Sequence, residues 1–120
     1  MARCEQGYLC EVCGDEVESI RDSDLYLRFV IGELSARQLL TAPERHLRCC
    51  PVNAQFIDDE SFEPVAVEGD FDRRMFDEDF VRERSTLITR GWKRLQELAE
   101  QAQTIPISEY PLPEFRTQRS

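Results

Sequence analysis

The chain has 120 residues, with 24 Asp or Glu against 15 Lys or Arg, and a net charge of −9. This length allows one domain with a modest core, and the acidic balance excludes the general basic surface that nucleic acids and anionic membranes require. No run of about 18 apolar residues is present to span a membrane, and the first residues lack the apolar segment of a signal peptide.

The N-terminal part contains a pair of cysteines separated by two residues. Cys10 and Cys13 enclose Glu-Val, and Gly14 follows with the conformational freedom that closes a tight turn. The next ten residues are polar apart from Val17 and Ile20, which predict at most a brief strand.

The clearest strand candidate is the segment Leu-Tyr-Leu-Arg-Phe-Val-Ile at residues 25–31. It is rich in β-branched and aromatic residues and is followed by Gly32, which is typical of a strand end. The segment 35–40 predicts one or two helical turns with Ser35 as the N-cap. A strand combined with short helices indicates the α+β class.

A second pair of candidate ligands follows, again separated by two residues. His46 is the only histidine of the chain, and Cys49 and Cys50 come shortly after it. Pro51 then stands where a helix can begin, so we expect a helix over 51–57.

Residues 58–76 form an acidic connector in which residues 65–67 predict a possible short strand. From 77 to 103, apolar residues recur at spacings of three, four and seven, which predicts a long amphipathic helix. Gly91 interrupts this apolar stripe at a cost of about 1 kcal/mol relative to alanine. We therefore expect Gly91 to allow a close contact beside Trp92.

The C-terminal tail, residues 104–120, contains three prolines within eight residues and predicts an extended, non-helical segment near polyproline II. The chain thus divides into a cysteine-rich module at 1–57, the connector at 58–76, the helix at 77–103 and this tail. At this length we expect all four parts to form one compact domain.

The two ligand pairs together suffice for one tetrahedral zinc site, because zinc favours thiolate and imidazole ligands. The predicted ligands are three cysteines and the sole histidine: Cys10, Cys13, His46 and Cys49. Cys50 is the alternative fourth ligand, since both spacings from the histidine occur in zinc proteins. A site with four protein ligands leaves no position for water or substrate, so the predicted zinc is structural.

A Cys-x2-Cys-Gly turn, an intervening strand and a second ligand pair leading into a helix resemble the treble-clef group of zinc fingers. The resemblance covers about residues 8–57 and implies a small treble-clef-like zinc-binding module. Treble clefs serve in nucleic-acid binding, ubiquitin chemistry, ribosomes and protein adaptors, so the resemblance does not decide the function.

Three functions are compatible with these patterns. We expect a non-catalytic module that binds another protein or a second copy of itself, with the 77–103 helix as a possible dimer contact. It is not predicted to be an enzyme, because the sole histidine is assigned to zinc and no phosphate-binding glycine loop is present. The cysteine spacing favours metal over disulfides, which predicts a reducing, cytoplasmic location.

The second hypothesis is nucleic-acid binding through arginines near the second ligand pair, namely Arg28, Arg37, Arg45 and Arg48. The local charge balance instead favours pairing of these arginines with acids such as Glu33 and Glu44. The third hypothesis is a thiol redox protein that uses Cys10 and Cys13.

Overall fold

A computed structural model describes residues 8–101 and 104–116. Most of the regular structure is helical: α1 Asp24–Val30, α2 Pro51–Ala54, α3 Glu78–Gln101 and α4 Pro113–Arg116. Two short strands, β1 Tyr8–Leu9 and β2 Glu16–Val17, pair antiparallel. Short 3₁₀ turns connect these elements, at Ile20–Asp22, Gln38–Leu40, Leu47–Cys49, Gly69–Phe71, Arg73–Met75 and Ile107–Glu109.

The prediction of a strand over residues 25–31 is wrong, because this segment forms helix α1. The Ser23 hydroxyl accepts a hydrogen bond from the Tyr26 backbone N–H at 3.0 Å and so caps the first turn. The chain leaves the helix at Gly32 with a positive φ of 85°, a conformation that favours glycine.

Helix α1 changes the fold class that we predicted. The treble-clef resemblance and the α+β class both relied on a strand between the two ligand pairs, and the described residues contain a buried helix there. The protein is a small, compact and mainly helical structure measuring 38 × 34 × 26 Å, with very little strand among the described residues.

Helix α3 forms where the sequence predicted it and supplies much of the core. Its buried residues are Ser85, Ile88, Gly91, Trp92, Leu95 and Leu98. Gly91 faces α1, and a Cβ atom there would lie 2.5 Å from Ile31 Cγ2 and 3.0 Å from Leu27 Cδ1. The expected close contact at Gly91 is confirmed, and the buried face of α3 packs within the chain.

The segments around the long helix depart from the predictions in smaller ways. The helical turn predicted over 35–40 is shorter, since it spans Gln38–Leu40 with Arg37 rather than Ser35 as its N-cap. The Ser35 hydroxyl still accepts the Gln38 N–H at 3.2 Å. Pro51 occupies the first position of α2, but this helix ends at Ala54 rather than at residue 57. The short strand predicted over 65–67 is absent from the described connector.

The tail is not simply extended, and that prediction is wrong. Pro106 precedes the 3₁₀ turn Ile107–Glu109, and Pro113 begins α4. Proline at the start of a helical turn loses no hydrogen bond and has a suitable φ. The tail packs on the body of the protein through buried Tyr110 and Leu112.

The core is one cluster of buried side chains that draws on α1, α3 and the tail. Phe115 of α4 rests against Gly32, where a Cβ atom would lie 2.5 Å from the phenyl ring. Among the described residues, no helix is both long and apolar enough to cross a membrane.

Candidate metal centre

The first two candidate ligands lie in a tight turn after β1. The Gly14 N–H donates to the Cys10 carbonyl at 2.9 Å, and the Cys10 N–H donates to the Asp15 carbonyl at 2.8 Å. Gly14 has a positive φ of 83°, as such a turn requires. The Val12 N–H points at Cys10 Sγ from 3.4 Å, so the turn itself stabilises negative charge on this sulfur.

The second pair is delivered by a short 3₁₀ turn, Leu47–Cys49, which follows His46 directly. The Cys49 N–H donates to the His46 carbonyl at 3.0 Å and fixes the spacing of this pair. The two pairs are held together by main chain as well, because the Glu11 N–H donates to the Glu44 carbonyl at 2.9 Å. The backbone therefore places the two pairs side by side.

The four predicted ligands converge, and their donor atoms all lie within 4.8 Å of one another. His46 Nδ1 lies 3.4 Å from Cys13 Sγ and 3.7 Å from Cys49 Sγ. Zinc bonds of about 2.3 Å to sulfur and 2.0–2.1 Å to nitrogen, at a tetrahedral angle, separate these atoms by about 3.5 Å. The observed spacing therefore fits a tetrahedral zinc ion.

The imidazole of His46 is oriented for binding through Nδ1. Its Nε2 atom lies 3.0 Å from the Glu16 carbonyl oxygen. Because a carbonyl only accepts, Nε2 carries the proton and leaves the Nδ1 lone pair free in the neutral ring. A backbone carbonyl on the distal nitrogen is the arrangement that commonly orients metal-binding histidines.

The sulfurs crowd one another, and this crowding affects their ionisation. Burial opposes ionisation of Cys10, but hydrogen bonds from nearby backbone N–H groups outweigh it and lower the pKa of this thiol to about 6. Burial and the neighbouring sulfurs of Cys10 and Cys13 raise the pKa of Cys49 to about 12. Three adjacent thiolates therefore need a cation among them to ionise together.

The pKa of His46 is also shifted. Burial of the ring disfavours its protonation, yet hydrogen bonding with Cys10 and with the Glu16 carbonyl raises the pKa above the ordinary value. A proton on Nδ1 and a metal ion compete for the same lone pair. Acid is therefore expected to weaken metal binding at this site.

Cys50, the alternative fourth ligand, lies outside the group of four. Its sulfur is 3.7 Å from Arg45 Nη1 and 3.8 Å from Asn53 Nδ2, and burial raises the pKa of its thiol. The geometry thus favours Cys49 over Cys50. Cys4 lies outside the described residues.

Three of the four arginines named above are engaged, although not with the acids we expected, and Arg37 is exposed. Arg45 pairs with Glu11 at 2.5 Å, and Arg28 lies 3.0 Å from Asp24. The Arg48 guanidinium stacks 4.3 Å from the centre of the Phe62 ring. These contacts reduce the positive charge available to a nucleic acid.

The predicted partners, Glu33 and Glu44, have other roles. Glu33 pairs with Arg84 of α3. Glu44 is buried, and its carboxylate accepts hydrogen bonds from the Ser23 hydroxyl at 2.8 Å and from the Arg45 N–H at 2.9 Å. Burial raises the pKa of Glu44.

Glu44 thus supports the segment that carries His46 and links it to the start of α1. Sequence reasoning missed this role. The only available signal was an acidic residue two positions before the histidine.

Comparison of the chain with protein-family models, with curated proteins and with solved structures gives no match. The class of site therefore rests on its geometry. A cluster of three cysteines and one histidine that can hold a metal ion is consistent with a zinc-finger-like module, here within a mainly helical protein.

Proposed function

We propose that the cluster of three cysteines and one histidine binds one zinc ion, and that this zinc is structural. The proposal is carried by the convergence of the four donor atoms within 4.8 Å of one another. Nitrogen–sulfur spacings of 3.4 and 3.7 Å and the hydrogen bond that exposes Nδ1 support zinc in particular.

A structural role follows from the donor set and from its connections. Four protein ligands complete a tetrahedron, which leaves no open position for water or substrate. The ligands also join two chain segments that otherwise meet through a few backbone hydrogen bonds and the Arg45–Glu11 ion pair. Zinc binding to such sites contributes about 10–16 kcal/mol in zinc-finger peptides, so this ion would hold the N-terminal half folded.

We further propose that the protein is a non-catalytic module that binds another protein or a second copy of itself. Since the buried face of α3 packs inside the chain, the partner surface is expected at the N-terminal end of α3 and in the turns that precede it. Phe71, Met75 and Phe80 are exposed by 62%, 64% and 46% of their residue surface, within ten positions of the sequence. Exposed apolar side chains are typical of binding surfaces when they form one patch, and we propose that these three do so.

The zinc assignment is tested by comparing Cys49→Ser with Cys50→Ser. We expect the Cys50→Ser protein to retain one zinc per chain and the cooperative unfolding of the wild type. The Cys49→Ser protein should lose most of its zinc affinity and unfold at lower denaturant concentration. Loss of zinc affinity in Cys50→Ser but not in Cys49→Ser would contradict the assignment of Cys49 as the fourth ligand. A wild-type protein without bound metal would contradict the whole site.

The interaction surface is tested by replacing Phe71 and Met75 together with serine. Leu40, which is 72% exposed on another segment, gives a matched control when changed to serine. We expect the double variant, but not the control, to lose self-association in sedimentation velocity or binding to a partner found by cross-linking. Equal losses in both, or in neither, would contradict the proposed surface.

A further inference from the structure

The three ligand cysteines differ in their access to solvent. Cys13 is exposed, Cys49 is half-buried and Cys10 is buried with only 2% of its surface accessible. Oxidation of cysteine follows exposure and thiolate character and is efficient where a second thiol stands ready to resolve it. Cys13 meets the conditions of exposure and of a nearby second thiol, because it is the most accessible of the three ligand thiols and the other ligand sulfurs lie within 4.8 Å.

We propose that the metal centre is an oxidant-sensitive switch in which peroxide oxidises Cys13, a disulfide forms with Cys10, and zinc is released. This inference rests on the proposed zinc site and adds a regulation to it. Cys10 is assigned as the resolving thiol because it shares the turn of Cys13, which the Gly14 N–H closes onto the Cys10 carbonyl at 2.9 Å. Cys49 belongs to a separate segment of the chain.

The reaction balances with hydrogen peroxide as the oxidant. The Cys13 thiolate attacks the O–O bond, an S–O bond forms, and the departing hydroxide takes a proton to become water. The Cys10 thiolate then attacks the Cys13 sulfur, the S–S bond forms, and the S–O bond breaks to release a second hydroxide that becomes water. Two sulfurs each lose one electron, and one peroxide is reduced to two waters.

Disulfide formation removes two of the four ligands from the metal. His46 and Cys49 remain as a single pair, and such a pair holds zinc far more weakly than a complete tetrahedral set. Because the metal connects the first turn to the 44–50 segment, its release would loosen the contact between these segments. The Glu11–Glu44 backbone hydrogen bond and the Arg45–Glu11 ion pair cross that same contact.

The test uses the full chain purified with zinc under reducing conditions. Hydrogen peroxide is added in steps, released zinc is read with a chromogenic chelator, and the cysteines are mapped by differential alkylation and mass spectrometry. We expect one zinc to be released for every two thiols lost, together with a Cys10–Cys13 disulfide. Cys50 should stay alkylatable, and dithiothreitol with added zinc should restore the starting state.

One variant and one further measurement complete the test. The Cys50→Ser protein removes a nearby thiol that is not a ligand, so its zinc release should match the wild type. A sulfenic-acid trap such as dimedone, added with peroxide to the wild-type zinc protein, should label Cys13 before any other cysteine. First labelling of another cysteine would contradict the proposal.

Several outcomes would overturn the switch. They are zinc retained while thiols oxidise, first oxidation at Cys50, or a disulfide that joins Cys49 instead of Cys10. Each of these leaves the structural zinc site intact, because the reduced protein would still contain the metal. A reduced protein without zinc would instead contradict the proposed function itself.

Discussion

The contact between α1 and α3 at Gly91 allows a quantitative prediction for Gly91→Ala. Alanine in a helix interior is ordinarily more favourable than glycine by about 1 kcal/mol. Here its Cβ atom would lie 2.5 Å from Ile31 Cγ2, a distance that real Cβ atoms essentially never show. Ile31 is 2% exposed within the core, so it has little room to move away.

Overpacking of a core by one methyl group typically costs about 1–3 kcal/mol. The helix-propensity gain of about 1 kcal/mol offsets part of this overpacking cost. We therefore expect Gly91→Ala to lower the free energy of unfolding by about 1 kcal/mol. Equilibrium urea unfolding followed by circular dichroism, with zinc held constant, measures this change.

A matched control comes from Thr86, which is exposed on the same helix. The difference between Thr86→Ala and Thr86→Gly should be about 1 kcal/mol in favour of alanine, because only helix propensity acts there. In a double-mutant cycle, Gly91→Ala should cost less in the Ile31→Ala background than in the wild type, because the shortened side chain no longer meets the added Cβ atom. Stabilisation by Gly91→Ala equal to the Thr86 difference would refute the close approach of α1 and α3.

Three further predictions follow from the core, from one ion pair and from the ligand set. Leu95→Ala, at a fully buried site, should cost about 2–5 kcal/mol, whereas Leu40→Ala should cost almost nothing, as denaturant melts will show. Arg73 lowers the pKa of Asp58, so Asp58→Asn should cost at most about 1 kcal/mol at neutral pH. That deficit should shrink as the pH falls below about 4 and through the lowered pKa of the folded Asp58 carboxylate, where the wild type also loses this charge. A chelator should unfold the N-terminal half, and a chelator-resistant fold would contradict a structural zinc.

The metal cluster was predictable because its signal is local and chemical. Two residues between ligands restrict each pair to one tight turn, and the sole histidine identifies the second pair. The choice between Cys49 and Cys50 needed the three-dimensional structure, in which Cys50 lies outside the group and its sulfur contacts Arg45 and Asn53. The sequence contains no local signal for those contacts of Cys50.

Helix α3 was predictable because one face is apolar and the other is polar. Helix α1 was not, because six of its seven residues are buried, and a helix buried nearly all round shows no amphipathic period. Its apolar β-branched and aromatic residues then look like a strand. The N-cap Ser23, the acidic Asp24 and the terminal Gly32 were the signals that would have identified it.

The tail shows a similar limit of composition-based reasoning. Prolines at close spacing predict an extended segment, yet Pro106 and Pro113 stand before or at the first position of short helical turns. Proline stops a helix only from within, so position decides its effect.

X-ray absorption at the zinc edge of the purified, reduced protein tests the central claim most directly. The proposed site predicts one zinc per chain, with three sulfur atoms at about 2.3 Å and one nitrogen at 2.0–2.1 Å. The Cys50→Ser protein should give the same spectrum. Four sulfur neighbours, a shell of mainly oxygen, or no bound zinc would contradict the assignment of Cys10, Cys13, His46 and Cys49.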